Sequence, residues 1–552
     1  MRLFSMNFDQ ARQRLVQAGA ALAAAALVAG CGNNYRPVIT PANPSGPAAQ
    51  PVSYAVVVSA PSSSTPGIAT IVDYAGDTVM AEAAIGPGPS TLTVDVLGAS
   101  GYTLNSDGTL TNFPVSRLLQ EKQVAYTTLP STAETINLFS SSSGLWAADL
   151  CVSDPITSKC SWDSNPLTLN FSGADVFTGN PQTFLRSIPL PPTPVAVLGS
   201  GGFGQRVFGI SQGNSPATSS NGAWNNIPSN VACNTPSLFS SNMIPNGETD
   251  GIELSSYTVS SHIPLGKCPV YAVESTDLTR LFVLNRGSDT ISVINVVNDT
   301  PDTCSGLINQ AGQPVTCHPT LPLSTTAMSA TGITPPNCNL KTDPTCGGMT
   351  ATAGPVYAEY NAATSQLIVA NYDGSTISVI DVSLDEWGND SATFGTTFTI
   401  PVGNNPASVT VLYDGSRAYT ANQTDSTVSI VNLSSHTVEK AALPVMGHPR
   451  TVVSTQNSSY GKVYAASPDS PYLTIIRTDE DIVDTTVLVQ GNIVDVRVST
   501  QNGVSSNINN ISRIPGYGEP CNLPLSEFNP ASSSNPAEAL YDCQVQDTSS
   551  LK

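Results

Sequence analysis

One phrase is written several times in this chain, and its repetition limits the available folds more than any other feature. RLFVLNRGSDTISVIN begins at Arg280, QLIVANYDGSTISVID at Gln366, RAYTANQTDSTVSIVN at Arg417 and KVYAASPDSPYLTIIR at Lys462. Each copy reads as an apolar strand, a small polar residue (Asn285, Asn371, Asn422, Ser467), a polar turn and a second strand. The turns carry Gly, Asp, Asn and Ser, which tolerate the positive φ that tight hairpins demand. An Asn recurring before a turn is read as structural, satisfying backbone groups or taking a left-handed conformation, and not as a ligand.

The punctuation around the phrase is regular. Pro269 precedes Asn285, Pro355 precedes Asn371 and Pro406 precedes Asn422, each by 16 residues, with a further strand between. Before each Pro comes a closing strand and turn, IPLGKCP, IPVGNNP or LPVMGHP, so one unit holds four strands. The last tandem period, Pro406 to Pro449, is 43 residues. Four strands per unit at about 40–45 residues is the pattern of a propeller blade. Weaker copies lie upstream, at Pro89 (again 16 residues before Asn105), Pro130 and Pro194. SYAVVVS, from Ser53, opens a unit lacking its first strand, and NIVDVRVST, Asn492 to Thr500, is a strand left over. Pairing the two incomplete ends would close a ring without a bare edge.

The clear copies, over about 269–490, resemble the YVTN-type β-propeller repeats of bacterial surface-layer and periplasmic proteins. That resemblance implies a β-propeller related to seven-bladed lactonase-like proteins, whereas the slots counted here favour eight blades. The expected fold is thus all-β, a propeller of seven or eight four-stranded blades closed by its N- and C-terminal strands.

The chain begins with a second signal. Arg2, Arg12 and Arg14 precede the apolar stretch Leu15–Val28, which is short for a membrane span and ends in small residues, as secretory signals do. VAGC, Val28 to Cys31, resembles a bacterial lipobox, with Val28 where Leu is commoner. The resemblance implies cleavage before Cys31 and acylation of its thiol and new amine, a stable anchor where one acyl chain would be marginal. Gly32 follows, with no Asp to suggest inner-membrane retention, so the expected location is the cell envelope at the outer membrane. The expected organisation is a signal peptide over 1–30, a lipidated Pro/Gly/Asn-rich tether over 31–51, a propeller over 52–500, and an appendage over 501–552. Polar, strand-poor stretches at about 212–256 and 299–354 read as insertions.

Cysteine usage agrees with export. Beside Cys31 stand ten others: Cys151, Cys160, Cys233, Cys268, Cys304, Cys317, Cys338, Cys346, Cys521 and Cys543. An even set in an exported chain reads first as disulfides, and pairing of neighbours is the simplest scheme. No pair is spaced C-x-x-C, so neither a zinc knuckle nor covalent haem is expected.

Chemistry is sparsely written. With net charge −20 and no basic cluster, the chain has no footprint for nucleic acid. Its four histidines are His262, His318, His436 and His448. His262 and His448 read as blade-closing turn residues and His436 as an exposed turn residue. No G-x-S-x-G or H-E-x-x-H occurs, and GSGGFGQ near Gly199 reads as a turn between strands. Asp373, Asp381, Asp425, Asp479, Glu480, Asp481 and Asp484 are carboxylates that read as solvated loop residues or as channel lining. No catalytic residue, metal or cofactor is assigned. The expected function is that of a monomeric, lipid-anchored module binding an envelope protein or glycan, with lactonase-like hydrolysis in the central channel as the alternative.

Overall fold

The computed structural model describes residues 53–130, 135–149, 173–199, 206–213, 246–304, 314–323, 353–455 and 461–499, apart from isolated positions, together with Cys233 and Ile308. The signal peptide, Cys31, the tether and the 501–552 appendage lie outside them. So do Cys151, Cys160, Cys338, Cys346, Cys521 and Cys543.

The repeat phrase builds the middle of a blade. In the fifth blade, Pro269–Glu274 is the inner strand, Arg280–Asn285 the second and Thr290–Asn295 the third, all antiparallel. Pro269 opens the inner strand opposite Asn285, and the pairing then slips by one residue before Tyr271. The same Pro, partner and slip recur at Pro355 with Asn371 and at Pro406 with Asn422. An inner strand has one unpaired edge, so a Pro without an N–H costs no ladder bond there. The second strand lies between neighbours and packs on both faces, which is why all of RLFVLN is buried.

The Asn slot has a specific use. Asn285 Nδ2 donates to Thr290 Oγ1 at 3.3 Å and to Ser292 Oγ at 2.9 Å. Asn371 reaches Thr376 and Ser378, Asn422 reaches Thr427 and Ser429, and Asn105 reaches Thr109 and Thr111 in the same way. The side chain therefore holds the next strand by its hydroxyls. Left-handed backbone falls instead on the last turn residue, Asp289, Ser375 or Ser426, with φ of 51–56°.

Eight such sheets form the molecule. Their inner strands are Asn492–Val498, Thr91–Val94, Thr135–Ser141, Pro194–Leu198, Pro269–Glu274, Pro355–Asn361, Pro406–Val411 and Thr451–Ser454, numbered here as blades 1 to 8. Each packs against the next, and the last against the first. The fold is an eight-bladed β-propeller. Blade 1 joins the two ends of the ring: Asn492–Val498 pairs with Tyr54–Ala60, Ala55 lying opposite Val498.

A second repeated device ties blade to blade. The residue that opens the second strand is Arg206, Arg280, Gln366, Arg417 or Lys462 in blades 4 to 8. Arg206 bonds Asp299 at 3.3 Å, Arg417 bonds Asp481, and Lys462 bonds Asp77. Each of these aspartates sits at positive φ in the turn before the outer strand of the next blade. Arg280 reaches the next blade as well, at Asp390 and the carbonyl of Gly388. Lys462–Asp77 is the latch that spans the ring closure, and both side chains are buried.

Two sequence expectations are corrected here. The 212–256 stretch, expected to be strand-poor, contains Asn246–Glu253, the third strand of blade 4. It buries little apolar side chain; Gly247 and Gly251 instead leave room for Pro269 and Asp299, which a Cβ would strike at 2.3 and 2.7 Å. Likewise 299–354 is not all insertion. Thr300–Pro301 and Thr320–Pro322 both pair with Thr290–Asn295, so the outer strand of blade 5 is split by an excursion. Leu321 and Leu323 return to the core. A disulfide joins Cys304 to Cys317 across that excursion, Cα atoms 5.6 Å apart, and another joins Cys233 to Cys268 at 5.3 Å.

Candidate functional site

The inner strands present unpaired edges to the axis, and bare backbone groups there need partners. Side chains two and four residues after the first residue of the strand supply them. Ser408 accepts the Val452 N–H at 3.1 Å and donates to the Arg450 carbonyl at 2.9 Å. Thr410 accepts the Ser454 N–H at 3.1 Å, and Glu359 accepts the Val411 N–H at 3.3 Å. Asn137 does the same for Val197 at 3.1 Å. Each bond crosses from one blade to the next, so the polar residues of the inner strands seal the ring.

Charge gathers within this layer. Arg497, on the inner strand of blade 1, gives Nη2 to Asp495 Oδ2 and Nη1 to the Val496 carbonyl, both at 2.7 Å. Thr451 donates to the other Asp495 oxygen at 3.1 Å. Arg497 and Asp495 are each 0% exposed. On blades 5 and 6, across the ring, Tyr271 and Tyr357 bring their rings within 4.7 Å. Burial pushes both phenols far above their ordinary value, while the Arg497 charge pulls them down and Glu359 pushes them up. Glu359, Tyr271 and Tyr357 are buried as well.

This group can do two things chemically. It offers a guanidinium, two carboxylates and two phenols, the raw material for binding an anion or moving a proton. It is also buried, and through the Thr451–Asp495 bond it ties blade 8 to blade 1.

The residues singled out from the sequence lie elsewhere. Asp373 pairs with Arg286 at 2.9 Å, and Asp425 accepts the Asn404 N–H at 2.6 Å. Asp381 accepts the Ser383 N–H and hydroxyl at 2.9 and 2.6 Å, and bonds of this kind hold its carboxyl low despite some burial. Asp479 and Glu480 face Arg477, and Asp481 belongs to the latch with Arg417 and Tyr419. His448 lies in a turn as expected, its Nδ1 2.5 Å from Asp469. His262 is not a turn residue; it stands within the strand Thr258–Lys267. His436 is not simply exposed, for it stacks on Phe398 with ring centroids 3.7 Å apart. His318 bonds the buried Asp390 at 2.7 Å and stacks on Phe394. The axial group was missed, although its signal was present: charges at alternate positions of apolar inner strands, Asp495 and Arg497 in NIVDVRV and Glu359 in PVYAEYN.

No protein-family model matches the chain, and no curated protein matches it by sequence. Solved structures do resemble it. Apo AztD from Citrobacter koseri is 10% identical with a TM-score of 0.47, over 81% of this chain and 97% of that one. The periplasmic gluconolactonase PpgL of Pseudomonas aeruginosa is 12% identical with a TM-score of 0.41, over 81% and 99%. The dihydro-heme d1 dehydrogenase NirN is 12% identical with a TM-score of 0.49, over 84% and 78%. At these identities the likeness is one of fold alone.

Proposed function

We propose that this chain is an exported, lipid-anchored β-propeller that acts as a binding or scaffold module at a bacterial cell envelope, with an envelope protein or glycan as its partner. The observation that carries the reading is the contrast between axis and rim. On the inner strands the charged side chains, Arg497 and Asp495 with Glu359, are buried. The long connections open from one rim, on successive blades. One leaves the second strand of blade 3 at Asp149 and returns at Gly173. The next leaves blade 4 after Ser211 and returns at Asn246, and another runs from the outer strand of blade 5 to Pro355. All depart from the rim that carries the Asn-slot turns, since Thr135 lies opposite Asp149 and Pro194 opposite Ser211. Rims built of long connections are where such scaffolds bind. Cys31, at the start of the tether, supplies the lipid anchor.

The test has two parts. Cys31→Ser should release the protein from membranes, and continued retention would refute the anchor. Replacing 324–352 by a short Gly/Ser link spares Leu321, Leu323 and the split outer strand. It should empty a capture from envelope extract, and unchanged partners would count against rim binding.

A second reading, lactonase-like hydrolysis at the axis, draws on Glu359, Asp495 and Arg497. It requires the ring to open. Lactone hydrolysis by the purified chain that is abolished in Glu359→Gln would favour it over the first reading.

A further inference from the structure

Far from the axis, on the outer half of blade 4, the strands Asn246–Glu253 and Thr258–Lys267 pair antiparallel, with Asp250 opposite His262. Glu248, two residues along, projects on the same side as Asp250. His262 Nδ1 lies 2.8 Å from Asp250 Oδ1 and 2.9 Å from Glu248 Oε1. The ligand-capable atoms of all three side chains fall within 4.8 Å of one another.

Hydrogen bonding does not complete this arrangement. One ring nitrogen carries at most one proton, so it cannot give a full hydrogen bond to both carboxylates. Asp250 is 1% exposed, and its second oxygen, Oδ2, is buried with no hydrogen-bond partner among the described residues. A buried carboxylate with an unused oxygen beside a second carboxylate is costly unless a proton or a cation answers it.

We propose that Glu248, Asp250 and His262 form a binding site for a divalent transition-metal ion of the zinc class. The donor set decides the class: an imidazole nitrogen with carboxylate oxygens suits zinc and its neighbours, whereas magnesium and calcium favour oxygen alone. Bonds of about 2.0–2.1 Å in a tetrahedral site put ligand atoms about 3.4 Å apart. That is roughly half an ångström beyond the present distances from His262 to the two carboxylates. Asp250 is the fixed member, while the His262 and Glu248 side chains are 67% and 37% exposed and free to adjust. Three protein ligands with an open flank leave a fourth position to water or to a partner's donor. The site stands near the re-entry of the blade 4 connection at Asn246, beside a strand followed directly by the disulfide-bonded Cys268. It does not depend on the function proposed above.

The experiment is a titration of the untagged, chelator-treated full chain with zinc ion alone, read by competition with a chromophoric chelator. One equivalent per chain is expected, weakened at least tenfold in His262→Ala and in Glu248→Gln. Both changes are at exposed side chains, so folding, checked by circular dichroism, should be retained. Calcium ion in large excess should not compete. The proposal is overturned if the wild-type chain takes up no zinc, or if both variants bind it as the wild type does.

Discussion

Replacing Arg497 by Met should destabilise the ring strongly, and replacing Asp495 by Asn in addition should recover most of the loss. Met keeps much of the stem and removes the charge and the donors. What remains is a buried Asp495 carboxylate that has lost its Nη2 bond at 2.7 Å and keeps the Thr451 hydroxyl at 3.1 Å and the Val496 N–H at 2.9 Å. Breaking one side of a buried pair costs about 3–5 kcal/mol, because the remaining charge has no water to return to. The intact pair contributes far less, since desolvation offsets its attraction, so the double variant should lie within about 1 kcal/mol of wild type. Asn at 495 can still accept from Thr451 and Val496. Urea unfolding followed by circular dichroism for the wild type, both single variants and the double variant yields the coupling between the two sites. A single variant costing less than about 1 kcal/mol, or a double variant no more stable than Arg497→Met, would refute the reasoning. The axis would then be hydrated, and the rim reading would lose its main support.

Other outcomes follow from the same contacts. Asn422→Ala should cost about 1–3 kcal/mol and more than Asn285→Ala. Asn422 also accepts the Thr420 hydroxyl at 3.1 Å, whereas Asn285 Oδ1 has no partner among the described residues; thermal unfolding of both variants checks the order. Asp289 is pushed up to about 6, chiefly by burial, against the Gly354 N–H that it accepts at 2.8 Å. The folded state therefore holds this proton more tightly than the unfolded one, and stability from this group is lost as pH rises from about 4 through about 6. Asp289→Asn, at a left-handed position that Asn tolerates, should add up to about 3 kcal/mol at pH 7 and little below pH 4, read from denaturation midpoints across pH. Lys462→Met should cost about 3 kcal/mol and speed amide exchange in Tyr54–Ala60 before other blades. Uniform exchange across blades would remove the closing role of the Lys462–Asp77 latch.

Much of the fold could be read from the chain because its constraints are local and repeated. Pro269, Pro355 and Pro406 mark inner edges, and the Asn that ends the second strand, 16 residues later, binds hydroxyls only five and seven residues on. The unmatched ends SYAVVVS and NIVDVRVST implied closure, and the sheet of blade 1 joins them. Eight blades, as counted, replace the seven that the resemblance implied. What escaped reading depends on register and distance. Glu359 and Arg497 are far apart in sequence, and only the ring brings their strands to one axis. His262 meets Asp250 because the pairing of its hairpin shifts between Gly251 and Ile252. That shift is not written in an alternation of residue types. The outer strand of blade 5 was hidden because Asp302 to Pro319 interrupts it.

The central claim, that partners meet the rim bearing the long connections, can be tested most directly by site-specific photo-crosslinking in living cells. Thr424 and Ser435 are both exposed on blade 7, in turns at opposite ends of the strand Thr427–Asn432. Thr424 stands on the rim of the long connections, and Ser435 on the other. A photoreactive side chain at 424 should capture an envelope component, and the same side chain at 435 should not. Adducts from 435 with none from 424 would contradict the account.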